Sequence, residues 1–185
     1  MAEPVAAVSG TSRPSAEVVA DPAATASELM ALAFTKKEKV RHGVAAHPNT
    51  PPSVLAGYTR LDHWTLVNVI GNPSLPEEII MDRFDRPTSD TRGLLARAAD
   101  RSPMSETFAR FLLDRWVAEG GFRMMQQVPA RVGGNPATPA AVLIDLAKSE
   151  DVDTLRAVAG NPSASARTRQ RAAARAETFS ARLAS

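Results

Sequence analysis

Pairs of prolines set three residues apart recur along this chain, and that spacing restricts its fold more than any other feature. They stand in His47-Pro48-Asn49-Thr50-Pro51, in Asn72-Pro73-Ser74-Leu75-Pro76 and in Asn135-Pro136-Ala137-Thr138-Pro139. The residue before a proline is pushed out of the α region, so Pro48, Pro73, Pro136 and Pro162 are each expected to stop a preceding helix. The downstream proline suits the first helical position, where its missing N–H would have had no partner and its φ is already helical. In Thr50-Pro51, Ser102-Pro103 and Thr138-Pro139 the hydroxyl before proline is expected to cap the new helix by accepting from an unpaired N–H. One proline ends a helix and the next begins another.

Aligned on these pairs, the chain divides into registers beginning at Asp21, His47, Asn72, Ala99, Asn135 and Asn161, at offsets of 26, 25, 27, 36 and 26 residues. A near-constant period of this size marks a repeat array. Behind each start an apolar stripe at helical spacing follows: Leu29/Leu32/Ala33, Leu55/Tyr58, Ile80/Phe84, Phe108/Phe111/Leu112 and Leu143/Leu146/Ala147. A second, shorter apolar segment comes after it: Val40/Val44, Leu66/Val69/Ile70, Leu94/Leu95/Ala96, Val128/Val132 and Leu155/Val158. The unit is therefore a helix, a short helix and an Asx-Pro turn. Such a unit buries its stripe only by stacking on its neighbours.

The strings "KVRHGVAAHPNTPPSVLAGY", "NPSLP" and "NPATPAAVLIDLAKSEDVDTLRAVAGNP" resemble the leucine-rich repeat variant family, whose pattern runs Val-Arg-x-x-Val-Ala-x-Asn/His-Pro-x-Thr-Pro-x-x-x-Leu. The resemblance covers residues 21–165 and is strongest at 36–80 and 133–162. It implies an all-α fold, a right-handed α-solenoid of about five to six repeats of about 25 residues, in which α-helices alternate with 3₁₀-type helices. Some members of that family carry an iron–sulfur domain before the repeats; this chain has no cysteine to ligate one. Family membership of this kind names an architecture and no single activity.

Charge is distributed unevenly. Residues 1–35 carry Arg13 against Glu3, Glu17, Asp21 and Glu28, a net −3, whereas 166–185 carry five arginines against Glu177, a net +4. The body between them has sixteen basic and fifteen acidic side chains, so a uniform phosphate-binding surface is not indicated. The segment 1–20, with Pro4, Pro14 and no apolar stripe, is expected to be disordered. It lacks both a basic start and a sustained apolar run, so it is not read as a secretory signal, and a cytoplasmic location is expected. The tail 166–185 reads as one capping helix, with Ala172, Ala176, Phe179 and Leu183 inward and Arg167, Arg171, Arg175 and Arg182 outward.

The fourth unit departs most from the pattern. Asp100 and Arg101 stand where an Asx-Pro is expected, and the next interval is about ten residues too long, with the excess near 113–127. Insertions in a stacked array gather on one face and are often the binding face. This one brings together Arg115, Trp116, Phe122, Arg123, Met124 and Met125, residue types that favour partner contact. Exposure of Trp64, Trp116 or Tyr58 would point the same way.

No motif for chemistry emerges. His42 and His47 are five apart, about 140° around a helix, so they would not share a metal, and His47 occupies the Asn position of a turn. Asp62-His63 lacks a nucleophile in context, and no phosphate loop or dinucleotide fingerprint occurs. The pairs Glu77/Glu78 and Asp151/Asp153 sit where helix starts favour acidic residues. No catalytic, cofactor-binding or metal-ligating residue is therefore assigned, and no cofactor is expected. The expected function is a non-enzymatic helical-repeat scaffold for a protein or peptide partner. The alternatives are nucleic-acid binding through an arginine-rich face and an accessory subunit that docks on an enzyme.

Overall fold

A computed structural model describes residues 13–85, 91–120 and 128–184. They form twelve α-helices: α1 (Ser15–Ala20), α2 (Ala26–Leu32), α3 (Glu38–Ala46), α4 (Pro52–Tyr58), α5 (His63–Gly71), α6 (Glu77–Asp85), α7 (Thr91–Ala99), α8 (Glu106–Ala118), α9 (Val128–Gly134), α10 (Ala140–Leu146), α11 (Val152–Gly160) and α12 (Ala166–Ala184). No strand occurs among the described residues, so the chain is all-α as its stripes require. The second segment of each unit is α-helical as well. It runs nine residues in α3, α5, α7 and α11 and seven in α9, where the family resemblance implies a short 3₁₀ element.

The odd-numbered helices stack in chain order, α1 on α3, α3 on α5, and so on to α11, which carries α12 on its far side. In the even series α8 touches both α6 and α10. Between the two series lies one continuous apolar core. Leu29, Leu55, Ile80 and Leu143 enter it from α2, α4, α6 and α10, and Val44, Val69, Ala98, Val132 and Val158 from the facing helices, all fully buried. At about 25 cal/mol per Å² of apolar surface, each leucine, isoleucine or valine among them contributes about 1.5–3 kcal/mol by leaving water.

Turns between units are joined by a ladder of polar side chains buried in this core. Asn72 donates through Nδ2 to the carbonyls of Ala45 and His47 in the unit before it, both at 2.8 Å. Asn135 does the same to Ala99 (2.9 Å) and Arg101 (2.6 Å), and Asn161 to Gly133 (2.8 Å) and Asn135 (2.9 Å). Each asparagine also folds its own turn, its Oδ1 accepting from the N–H two residues on, at Ser74, Ala137 and Ser163. His47 imitates this with an imidazole. Its Nδ1 accepts from the Asn49 N–H at 3.1 Å, which leaves the proton on Nε2 to donate to the Asp21 carbonyl at 2.9 Å.

The rung of the fourth register is Arg101, not Ala99 as the proline alignment suggests. Arg101 is 3 % exposed. Its guanidinium reaches the carbonyls of Asn72 at 2.8 Å and Leu75 at 2.7 Å, with longer bonds to Ile70 (3.3 Å) and Pro73 (3.4 Å). Arginine has five donors and no acceptor, so it cannot fold an asparagine-type turn. Here it has no need to, because the residue two positions on is Pro103, which has no N–H. With Arg101 in register the two flanking intervals become 29 and 34 residues. Ser102-Pro103 is a cis peptide before the helix, and the residue that caps α8 is Ser105, whose Oγ accepts from the Phe108 N–H.

The hydroxyls before proline act in the opposite sense from the one expected. Thr50 Oγ1 donates to the Val44 carbonyl at 2.5 Å, and Thr138 Oγ1 to the Val132 carbonyl at 2.6 Å. Each closes the end of the helix behind it, while Pro51 and Pro139 stand at the N-cap of α4 and α10 with ψ of 139° and 144°, one position before the first helical residue expected of them, and provide no side-chain cap. Carbonyls at a helix end lack partners in the helix, so a buried threonine supplies one. Helix starts elsewhere are capped by Asp62 and Asp151, and by a capping box between Thr25 and Glu28.

Both ends of the chain differ from expectation. Residues 15–20 form α1 rather than a disordered segment: Val18 is buried, and Gly43 lets α1 approach, since a Cβ there would lie 2.8 Å from Val19 Cβ. Residues 1–12 of that segment lie outside the described residues. At the other end α12 buries Ala172 and Ala176, but Leu183 is 81 % exposed. The reason is length: α12 has 19 residues, about 28 Å, against about 13 Å for the nine of α11 beneath it.

Candidate functional site

The described connections from an even helix to the following odd helix, α2 to α3, α4 to α5 and α10 to α11, lie along the edge of the stack opposite the ladder turns. Apolar side chains stay in water along this edge. Phe34, between α2 and α3, is 93 % exposed; Leu61 and Trp64, at the start of α5, are 46 % and 64 % exposed. Lys36, Lys37, Lys39 and Arg60 stand exposed among them. The Trp64 ring meets His63 edge-on at 5.4 Å, and Val117 is exposed in the last turn of α8. Aromatic residues interleaved with cations make a surface suited to an acidic, apolar partner segment.

The cluster expected from the sequence is only partly within view. Arg115 pairs with Glu119 at 3.3 Å on α8, and its Nε is buried without a partner. Trp116 is half-buried and packs against the core, so the exposed side chain at this point is its neighbour Val117. Phe122, Arg123, Met124 and Met125 lie outside the described residues. Tyr58 is buried, donating its hydroxyl to the Ala33 carbonyl at 2.6 Å. Trp64 alone of the three flagged aromatics is open. Phe34 and Leu61 went unnoticed because each falls outside any apolar stripe, and that isolation was the available signal.

Several tail arginines bind the chain itself. Arg175 donates to the carbonyls of Lys148 (2.9 Å) and Ser149 (3.2 Å) and lies 5.4 Å from the Phe179 ring centre; Arg182 covers the same ring at 5.5 Å. Arg169 donates to the Ala164 carbonyl at 2.5 Å. Several body cations are matched by carboxylates, as in Arg110 with Glu106 and Asp145 and Arg131 with Asp100. Neighbouring anions and chain carbonyls thus occupy cations that a phosphate backbone would need free.

A second cluster joins two units. Glu38 and His42 are four residues apart on α3, hence on one helical face, and Asp62 caps the next odd helix, α5. His42 Nε2 lies 3.7 Å from Glu38 Oε1 and 3.6 Å from Asp62 Oδ1. Asp62 is firmly oriented: Oδ1 accepts from the Thr65 N–H at 2.9 Å, and Oδ2 from Thr65 Oγ1 at 2.8 Å and Arg41 Nη2 at 3.0 Å. The backbone bond from Thr65, with help from its hydroxyl and from Arg41, holds the Asp62 carboxyl well below the usual carboxylate range. Glu38, His42 and Asp62 are the described residues that bring three metal-ligating atoms together, all within 4.8 Å of one another. The sequence spacing of histidines alone missed them, since two of the three are carboxylates and one comes from the next unit.

Comparison with family models, with curated proteins and with solved structures gives no match to this chain. Among the described residues no helix is long and apolar enough to cross a membrane.

Proposed function

We propose that this chain is a non-enzymatic helical-repeat scaffold that binds a protein or peptide partner along the edge bearing Phe34, Leu61 and Trp64. Its stacked helix pairs form a right-handed solenoid of the leucine-rich repeat variant type, working in the cytoplasm. The observation that carries this reading is the exposure of Phe34 and Trp64 beside Lys36, Lys37, Lys39 and Arg60. Leaving two large aromatic side chains in water forgoes burial that the core gives Phe84 and Phe108 in full and Phe111 and Phe179 in part. A partner that covers them recovers it.

The test is to immobilise the full chain and a Phe34→Ser/Trp64→Ser variant and challenge both with one nuclease-treated native lysate. A protein retained by the natural chain and lost by a variant with an unchanged melt supports the reading. Equal retention by both, or retention that depends on nucleic acid, contradicts it.

A further inference from the structure

Most buried polar atoms here are satisfied, which makes the exceptions informative. His42 Nε2 is shielded from solvent and has no hydrogen-bond partner, yet it points between two carboxylates on different repeats. At 3.6 and 3.7 Å these oxygens are too far for a hydrogen bond. They are near the spacing of about 3.3 Å between neighbouring ligands of a tetrahedral ion held at about 2.0–2.1 Å.

We propose that Glu38, His42 and Asp62 bind a single divalent transition-metal ion of the zinc class, clamping α3 to α5. One imidazole nitrogen and two carboxylate oxygens, with water as a fourth ligand, suit zinc. Calcium would ask for six to eight oxygens. Two carboxylates balance the dication when the imidazole is neutral. The ligand on α5 is already positioned: Thr65 and Arg41 hold Asp62 Oδ2, and Oδ1 keeps a lone pair beyond the one facing the Thr65 N–H. Arg41 opposes the ion electrostatically, but its nearest nitrogen engages the far oxygen of the carboxylate. Glu38 is the adaptable ligand, since its side chain is 63 % exposed and free to close on the ion. An ion bound to the folded chain alone stabilises it by mass action.

Calorimetric titration of the untagged full chain with zinc chloride tests the site, beside His42→Gln, Glu38→Gln and His63→Gln. We expect one ion per chain, binding weakened at least tenfold by His42→Gln and by Glu38→Gln, and binding retained by His63→Gln. The melting temperature of the natural chain should rise with zinc and that of His42→Gln should not. Glu38→Gln keeps the test decisive if the histidine variant fails to fold, because Glu38 is a surface residue. Absence of binding by the natural chain, or binding by Glu38→Gln and His42→Gln as tight as that of the natural chain, overturns the proposal.

Discussion

The turn at Asn161 and the turn at Arg101 do the same work with opposite chemistry. Asn161 uses a short neutral side chain to bond two carbonyls of the unit before and the N–H of its own turn. Arg101 uses a long cation to bond carbonyls as far as Leu75, and its turn has a proline where the N–H would be. Burial lowers the pKa of the Arg101 guanidinium, and the nearby Glu77 charge partly offsets this. The Phe108 ring lies 5.9 Å from it. What the difference teaches is that the array conserves a function, the bonding of two carbonyls one unit back, and not a residue type. A longer side chain keeps that function where the spacing between units is irregular.

The sharpest way to break the comparison is to truncate both residues. Arg101→Ala should cost about 3–5 kcal/mol, since each buried carbonyl left without a donor costs about 1–3 kcal/mol and a cavity is added. Asn161→Ala should cost less, about 2 kcal/mol, and urea unfolding measures both. Arg101→Met refills the space without the donors, so it should recover only the packing part of the loss. Arg101→Asn asks whether reach matters: if the account is right, it stays destabilised although it restores the commoner residue.

The helices and turns were legible in the chain because proline acts locally: Pro48, Pro73, Pro136 and Pro162 stop a helix whatever lies around them. Arg101 was not, because a match on Asx-Pro sees residue identity and not which carbonyls a side chain reaches. The direction of the Thr50 and Thr138 hydroxyl bonds was hidden for a similar reason. Threonine both donates and accepts, and only the packed helix end decides which. The exposure of Leu183 depends on the length of its neighbour α11, and the meeting of His42 with Asp62 on stacking between units. Neither is a local property.

A smaller effect follows from the caps. Asp62 has a lowered pKa, so its contribution to stability is complete above its unfolded value of about 4 and is lost as pH falls toward the folded value. The stability gap between the natural chain and Asp62→Asn should therefore narrow from pH 7 to pH 3, measured by urea unfolding at each. Thr138→Val removes one donor to the Val132 carbonyl and should cost about 1 kcal/mol by the same assay. Leu183→Ser, beyond the reach of α11, should change stability by less than about 0.5 kcal/mol.

The central claim is that Arg101 is a buried rung of the ladder, and its guanidinium protons report on that directly. In a sample labelled with ¹⁵N-arginine, rungs bonded to the carbonyls of Asn72 and Leu75 should give resolved, slowly exchanging Nη–H resonances at neutral pH. Those resonances should vanish in Arg101→Lys. Finding only averaged, rapidly exchanging Nη signals, the same in both samples, would place Arg101 in solvent and contradict the account.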